Sequence, residues 1–467
     1  MTGLFLLAAA VGMFEGHGDV GTVLHAGEAE YDSAARTYAV SGSGENMWFG
    51  ADAFHFVWKK VTGDVTLTAD VRILGEGGDP HRKAVLMIRQ SLDADSPYAD
   101  AAVHGDGLTS LQTRDAKGAA THEIQASVGG PARVRISKRG AWFYMSVAPQ
   151  GGELRPAGGW MKAAIDGTFY VGIGVCAHNM DAVERAAFSN VELGEPDAKR
   201  QGWTTLETVT VASTDRRSIF RTEGSVGAPT WTPDGTALVY LDQNRLWQVA
   251  ATGGRAEPIE TGPGLKCNLS YGFSLDGETL AFTAWDRPGE LQVYVISSAG
   301  GQPRRVTKKG VSLWSGWSPD GKTLIFYGER GSRWRTFTIP VEGGRERALI
   351  PDGPDAEYSP DGRHVYLGSL RGGRGQQVWR VRTDGSGWEQ VTPDGMENWD
   401  QHVSPDGKLL AFLSARTPGA EVLVRVMSLT NGEIRVMGNL GRLGGSMAAP
   451  CWSPDSKRLA FVSYQEF

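Results

Sequence analysis

A four-residue pattern, Ser/Thr-Pro/Leu-Asp-Gly/Ser, recurs six times in the second half of this chain. Its aspartates are Asp234, Asp276, Asp320, Asp361, Asp406 and Asp455, successively 42, 44, 41, 45 and 49 residues apart. A self-similar period of about 40–45 residues with strand-like content is the mark of propeller blades. An aromatic or β-branched residue precedes each turn: Trp231, Phe273, Trp317, Tyr358, Val403 and Trp452. Proline then presets φ, aspartate accepts from backbone amides beyond it, and glycine takes a positive φ. An apolar strand follows, as in ALVYL or LLAFLS, then a third strand ending near a second turn, then a short fourth.

The sixth unit reaches only its second strand before Phe467. A counterpart of its missing strands precedes the first tetrad, where Thr208–Thr222 parallels the VYVISSAGGQPRRVT of a complete unit. Six blades are therefore expected, the last completed by strands from the N-terminal side, which would leave no open sheet edge. The six tetrads resemble the Pro-Asp repeats of TolB-like propellers, from about Thr204 to Phe467. The resemblance implies a periplasmic interaction module. It names no Tol partner, and propellers host many chemistries.

Residues 17–194 carry short alternating runs such as FHFVWKK (Phe54–Lys60), KAVLMIRQ (Lys83–Gln90) and FYVGIGVCAH (Phe169–His178). Strands at this spacing predict a β-sandwich. The segments ENMWFGADAFHFVWKKVTGDVTLTADV and HRKAVLMIRQSLDADSPYADAAVHGDG resemble a concanavalin-like jelly-roll family of unknown function. That resemblance implies a carbohydrate-binding or accessory module. The polar, turn-rich Gly194–Gly202 marks a linker at 195–202, with the propeller over 203–467. The whole chain thus reads as all-β, sandwich then propeller.

Residues 1–16 read as a signal peptide or its remnant, which places the protein in the periplasm or outside the cell. The apolar run Leu4–Phe14 is too short to cross a bilayer, and a buried first strand is the alternative. The net charge is -6 and no basic block is present, which excludes a dedicated nucleic-acid surface. Cys176, Cys267 and Cys451 are odd in number and far apart, so they read as small buried hydrophobes.

Two groups of residues could carry function. In the sandwich, Trp48, His55, His81, Lys83, Arg89, His104, Gln112 and Arg114 could line a groove for a sugar, with aromatic platforms and planar polar groups. An ordinary solvated sheet face is the alternative. In the propeller, the innermost strand of each blade precedes its tetrad and offers Asn268, Trp314, Glu357, Trp399, Asp400 and His402. Asp400 and His402 are two apart, so both can face the channel on a strand. Such a pair supports acid–base chemistry, half a metal site, or a hydrogen-bonded lining. A channel-bound divalent cation is therefore open, though no cofactor is expected. The stretch GGRG (Gly372–Gly375) lacks a phosphate-loop context, and SLDADSPYAD lacks the glutamate of an EF-hand.

The expected function is an exported binding protein without catalysis. The sandwich would take a carbohydrate or other surface ligand, and the propeller a protein, peptide or small molecule. A carbohydrate-active hydrolase or lyase in the channel and a purely structural scaffold are the alternatives.

Overall fold

The computed structural model describes residues 11–197, 202–227, 229–351, 353–373, 375–392, 394–447 and 451–466. These form two compact units, the first ending at the described residue 197 and including Asp215–Ser218, the second spanning 202–214 and 219–466. All regular structure is strand, and no helix is long and apolar enough to cross a membrane among the described residues.

In the first unit, one antiparallel sheet runs in the order Gly16–Val20, Phe54–Thr62, Thr168–Cys176, Lys83–Arg89, Tyr98–His104, Thr109–Arg114, Thr121–Gln125. The other runs Arg155–Pro156, Trp142–Pro149, Ala132–Arg139, Val65–Leu74, Asn179–Gly194, Thr37–Gly44, Glu28–Asp32. Alternation sends Val57, Leu86 and Ile173 from the first sheet against Leu67, Val134, Phe143 and Phe188 of the second, in one core. Val11 and Phe14 are buried in the same core, so residues 11–16 belong to the fold. Residues 1–10, the rest of the expected leader, lie outside the described residues.

The far face of the first sheet is covered as well. Phe54, Phe56, Val85, Met87, Tyr98 and Cys176 pack there under Met47. The groove expected on this face is thus largely occupied by the chain itself.

In the second unit, five four-stranded sheets stand as separate blades. The expected sixth does not stand alone. Gly445–Ser446, Arg458–Glu466, Gly202–Thr210 and Arg216–Thr222 are hydrogen-bonded in that order. Gly202–Thr210 pairs with Arg458–Glu466 over its whole length, from Gly202↔Glu466 to Thr210↔Arg458.

The tetrads share one wiring. The Ser or Thr hydroxyl donates to the aspartate at 2.6 Å in all six turns: Thr232 to Asp234, Ser274 to Asp276, Ser318 to Asp320, Ser359 to Asp361, Ser404 to Asp406, Ser453 to Asp455. The backbone N–H two residues on, such as that of Lys322, donates to the same carboxylate. The fourth position is left-handed throughout; the sixth unit puts Ser456 there, at φ 61°. Indole N–H groups tie units together: Trp317 to Gly272 O, Trp452 to His402 O and Trp231 to Cys451 O.

Candidate functional site

The innermost strands Lys266–Phe273, Ser312–Trp317, Glu357–Tyr358 and Glu397–Val403 come from four neighbouring units. Where they reach their turns they enclose a cavity of about 240 Å³. Its walls are Phe273, Trp314, Trp317, Tyr358 and Val403, with the tetrad prolines 319, 360 and 405 at the rim. Glu357 is the charged group in this lining. The walls are apolar because the residue before each tetrad is aromatic or β-branched and the tetrad itself supplies a proline ring.

Glu357 reaches across to the next unit. Its Oε2 lies 3.0 Å from His402 Nδ1, and its Oε1 accepts from the Val403 N–H at 2.5 Å. His402 is buried and its Nε2 has no partner. Burial disfavours an imidazolium there, but the Glu357, Asp400 and Asp355 carboxylates more than offset this and raise its pKa. Asp400 is raised to about 6 by burial and by repulsion from Asp355. Gln401 donates to Asp355 O, while its buried Oε1 has no partner.

Strict alternation does not hold at this point. A register shift between Trp399 and His402 breaks the ladder, and Asp400 adopts φ 48°. Left-handed backbone at a non-glycine residue costs about 1 kcal/mol or more and clusters at functional sites. Of the propeller residues expected from sequence, Glu357, Asp400 and His402 are brought together, and Trp314 and Glu357 share the cavity. Trp399 instead packs against a hydrophobic core. Asn268 is half-buried and is not among the cavity walls. Among the described residues no cluster of three or more His, Cys, Asp or Glu is arranged to hold a metal ion.

The sandwich candidates divide. Lys83 lies buried with its Nζ 5.2 Å from the Trp48 ring and 3.2 Å from Gln112 Oε1. Gln112 Nε2 is 3.1 Å from His104 Nε2. These four residues therefore meet. Arg89 and Arg114 do not offer themselves to a ligand. Both are fully buried on Asp52, at 3.3 and 2.6 Å. Arg114 also donates to the carbonyls of Trp48, Phe49, Ala94 and Ser96. Their charge neutralises a buried carboxylate. His55 is on the opposite face of the sheet, because Val175 pairs with both His55 and Ala84 while Gly174 pairs with Phe56 and Val85. It is buried against Asp19 at 2.7 Å, and burial lowers its pKa. His81 is exposed, its ring 6.3 Å from that of His104.

Sequence reasoning missed Asp100. It is fully buried on the face of Lys83 and Gln112, both carboxyl oxygens lack a hydrogen-bond partner, and burial holds its pKa well above the ordinary range. An aspartate in the apolar run YADAAVH, two residues from Tyr98, was its only signal.

A fold of repeated four-stranded sheets with tetrad turns and an aromatic cavity defines a β-propeller of the Pro-Asp repeat kind. The TolB beta propeller domain family matches residues 200–353. An uncharacterized protein of Agrobacterium fabrum, Atu1656, is 34% identical over 271 residues, covering 56% of this chain and 92% of that protein. The chain belongs to the TolB β-propeller family. The solved structure of a putative TolB from Agrobacterium tumefaciens superposes with TM-score 0.52 and 31% identity, covering 57% of this chain and 99% of that one. The Tol-Pal system protein TolB of Bordetella parapertussis is 30% identical over 243 residues, 50% of this chain. The chain spans about half the length of that relative, 53%.

Proposed function

We propose that this is an exported interaction protein whose propeller seats a peptide segment of a partner at the mouth of its channel. The cavity walled by Phe273, Trp314, Trp317 and Tyr358 carries the reading. An aromatic pocket of this kind holds an apolar anchor residue. Glu357, the charged group of the lining, favours a basic residue beside that anchor. Similarity to Tol-Pal system TolB proteins supports an interaction role in the periplasm. In this reading Gly445–Ser446, Arg458–Glu466, Gly202–Thr210 and Arg216–Thr222 are the sixth blade, and the first unit is a jelly roll.

A peptide array probed with the whole protein tests it. Bound sequences should pair an apolar residue with Lys or Arg, and Trp314→Ala should weaken them by about tenfold or more. An array with no sequence sensitive to Trp314→Ala would favour a scaffold without a channel ligand.

One observation favours a second reading. His402 is oriented by Glu357 through Nδ1 and its buried Nε2 makes no hydrogen bond, which leaves one ring nitrogen for proton transfer. Under this reading the channel is a hydrolase or lyase site with His402 and Asp400 as its acid–base pair. Turnover of any sugar that survives His402→Ala unchanged would remove it.

A further inference from the structure

The Glu357 carboxylate joins two walls of the aromatic cavity. Glu357 and Val403 both line it, and Glu357 Oε1 accepts from the Val403 N–H at 2.5 Å. The other oxygen, Oε2, lies 3.0 Å from His402 Nδ1. His402 is not among the cavity walls, and 5% of its side chain is accessible against 13% for Glu357. A ligand in the cavity therefore meets the carboxylate, and the imidazole holds that carboxylate from behind.

The hydrogen bond between them survives in either protonation state of the ring. With a neutral ring, Nδ1–H donates to Oε2 and Glu357 brings a full negative charge to the wall. With a second proton, on Nε2, the ring is an imidazolium and cancels that charge. Nε2 is buried and makes no hydrogen bond, so no protein partner ties it to one state.

The charged groups around His402 are acidic: Glu357 on the neighbouring strand, Asp355 just before it, and Asp400 on its own strand. The Cys451 thiol and the Tyr464 hydroxyl also lie near these carboxylates, and burial raises both. Among the described residues none of the three carboxylates is ion-paired to a lysine or arginine, so His402 is the compensating cation for Glu357. The carboxylates raise the His402 pKa, so its charge is lost only as pH climbs past the ordinary value of 6.5. Asp400, raised to about 6, gains its charge over a lower range and acts in the same sense.

We propose that His402 is a proton-operated switch on the partner site: a peptide with Lys or Arg beside its apolar anchor binds tightly when the imidazole is neutral, weakly when it is charged, and displaces a proton on binding near neutrality. This rests on the peptide reading given above. A cation seated on Glu357 stands close to the ring, where repulsion between like charges changes affinity by about tenfold or more. Linkage makes the effect reciprocal, so the bound cation expels the proton.

The test probes one peptide array with the whole protein at pH 5.5 and pH 8.0, each Lys-bearing peptide spotted beside its norleucine counterpart. Lys-bearing peptides should bind about tenfold more weakly at pH 5.5, while the norleucine counterparts change little. His402→Asn keeps an N–H donor near the Nδ1 position and cannot take a charge, so it should bind the Lys-bearing peptides equally at both values. Calorimetry of the wild-type protein with the best Lys-bearing array peptide, in phosphate and in Tris at pH 7, should give heats that differ by the proton released. This measurement decides the matter if His402→Asn does not fold. Lys-bearing peptides bound equally at both pH values, or with equal heats in both buffers, would overturn the switch and leave the peptide site standing. No peptide bound at either pH would remove the peptide site and the switch with it.

Discussion

The indole N–H of Trp231 donates to the carbonyl of Cys451 at 3.1 Å, linking positions 220 residues apart. Trp317 and Trp452 make the same kind of bond to the strand of a preceding unit, so the first and last tetrads are joined as those two pairs of neighbours are. Trp231→Phe keeps most of the buried area and removes the donor. It should lower unfolding free energy by about 1–2 kcal/mol, read by urea titration. Trp317→Phe should cost a similar amount. A far smaller loss at Trp231 would mean that its bond does little to tie the first tetrad to the last.

Arg114→Met should be much more damaging than a groove residue would be. It leaves Asp52 buried with Arg89 as its remaining ion-pair partner and takes the Arg114 donors from the Trp48 and Phe49 carbonyls. The expected loss is about 3–5 kcal/mol by denaturant unfolding. Asp52→Asn in the same background should recover part of it, because the uncompensated charge is then gone.

The pH response of Asp400 has a definite sign. Its pKa is raised to about 6 in the fold, from an ordinary value of 3.8. Stability from this group is fully present below 3.8 and is lost as pH rises through about 6. Asp400→Asn should therefore raise the melting temperature at pH 7.5 and change it little at pH 4. A stabilisation of roughly 1–2 kcal/mol at the higher pH is expected. Equal effects at both values would contradict a shifted Asp400.

The tetrad aspartates act in the opposite sense. Hydrogen bonds from the Ser or Thr hydroxyl and the backbone lower the pKa of each, including Asp320 and Asp361. Their contribution is present above the ordinary value of 3.8 and disappears as pH falls below it. A variant with Asp320→Asn and Asp361→Asn should lose stability at pH 7 and show a shallower decline between pH 4 and pH 2, followed by circular dichroism.

All three cysteines are buried and free, and burial raises each thiol, Cys176 to about 11. The thiolate is the reactive form. The native protein should therefore leave Ellman's reagent unreduced for as long as it stays folded, and release three equivalents on denaturation.

The repeat made the propeller legible because one local motif, read six times, fixes turn, strand and period together. The sandwich strands were legible from alternation, but their environment was not. Polar residues on the Lys83, Arg89 and Arg114 face looked solvated, since sequence cannot show that Met47 and Asp52 fold back over them. His55 went to the wrong face because strand parity alone does not give inter-strand register. At the channel, Asp400 and His402 were visible as a pair. Their partner Glu357 was visible only as a residue of another repeat, and the break in alternation at Asp400 follows from a bulge that no local pattern announces.

The clasp between Gly202–Thr210 and Arg458–Glu466 also sets an order of events in synthesis. Its two strands are separated by nearly all of the propeller sequence, so one edge of the earlier strand must wait open until the later one leaves the ribosome, although its other edge pairs locally with Arg216–Thr222. The intermediate blades rest on local hairpins and can form meanwhile, whereas this pairing carries the full entropy of closing the longest loop. A nascent chain would thus hold an open strand edge for most of its translation, the interval in which a chaperone has something to protect.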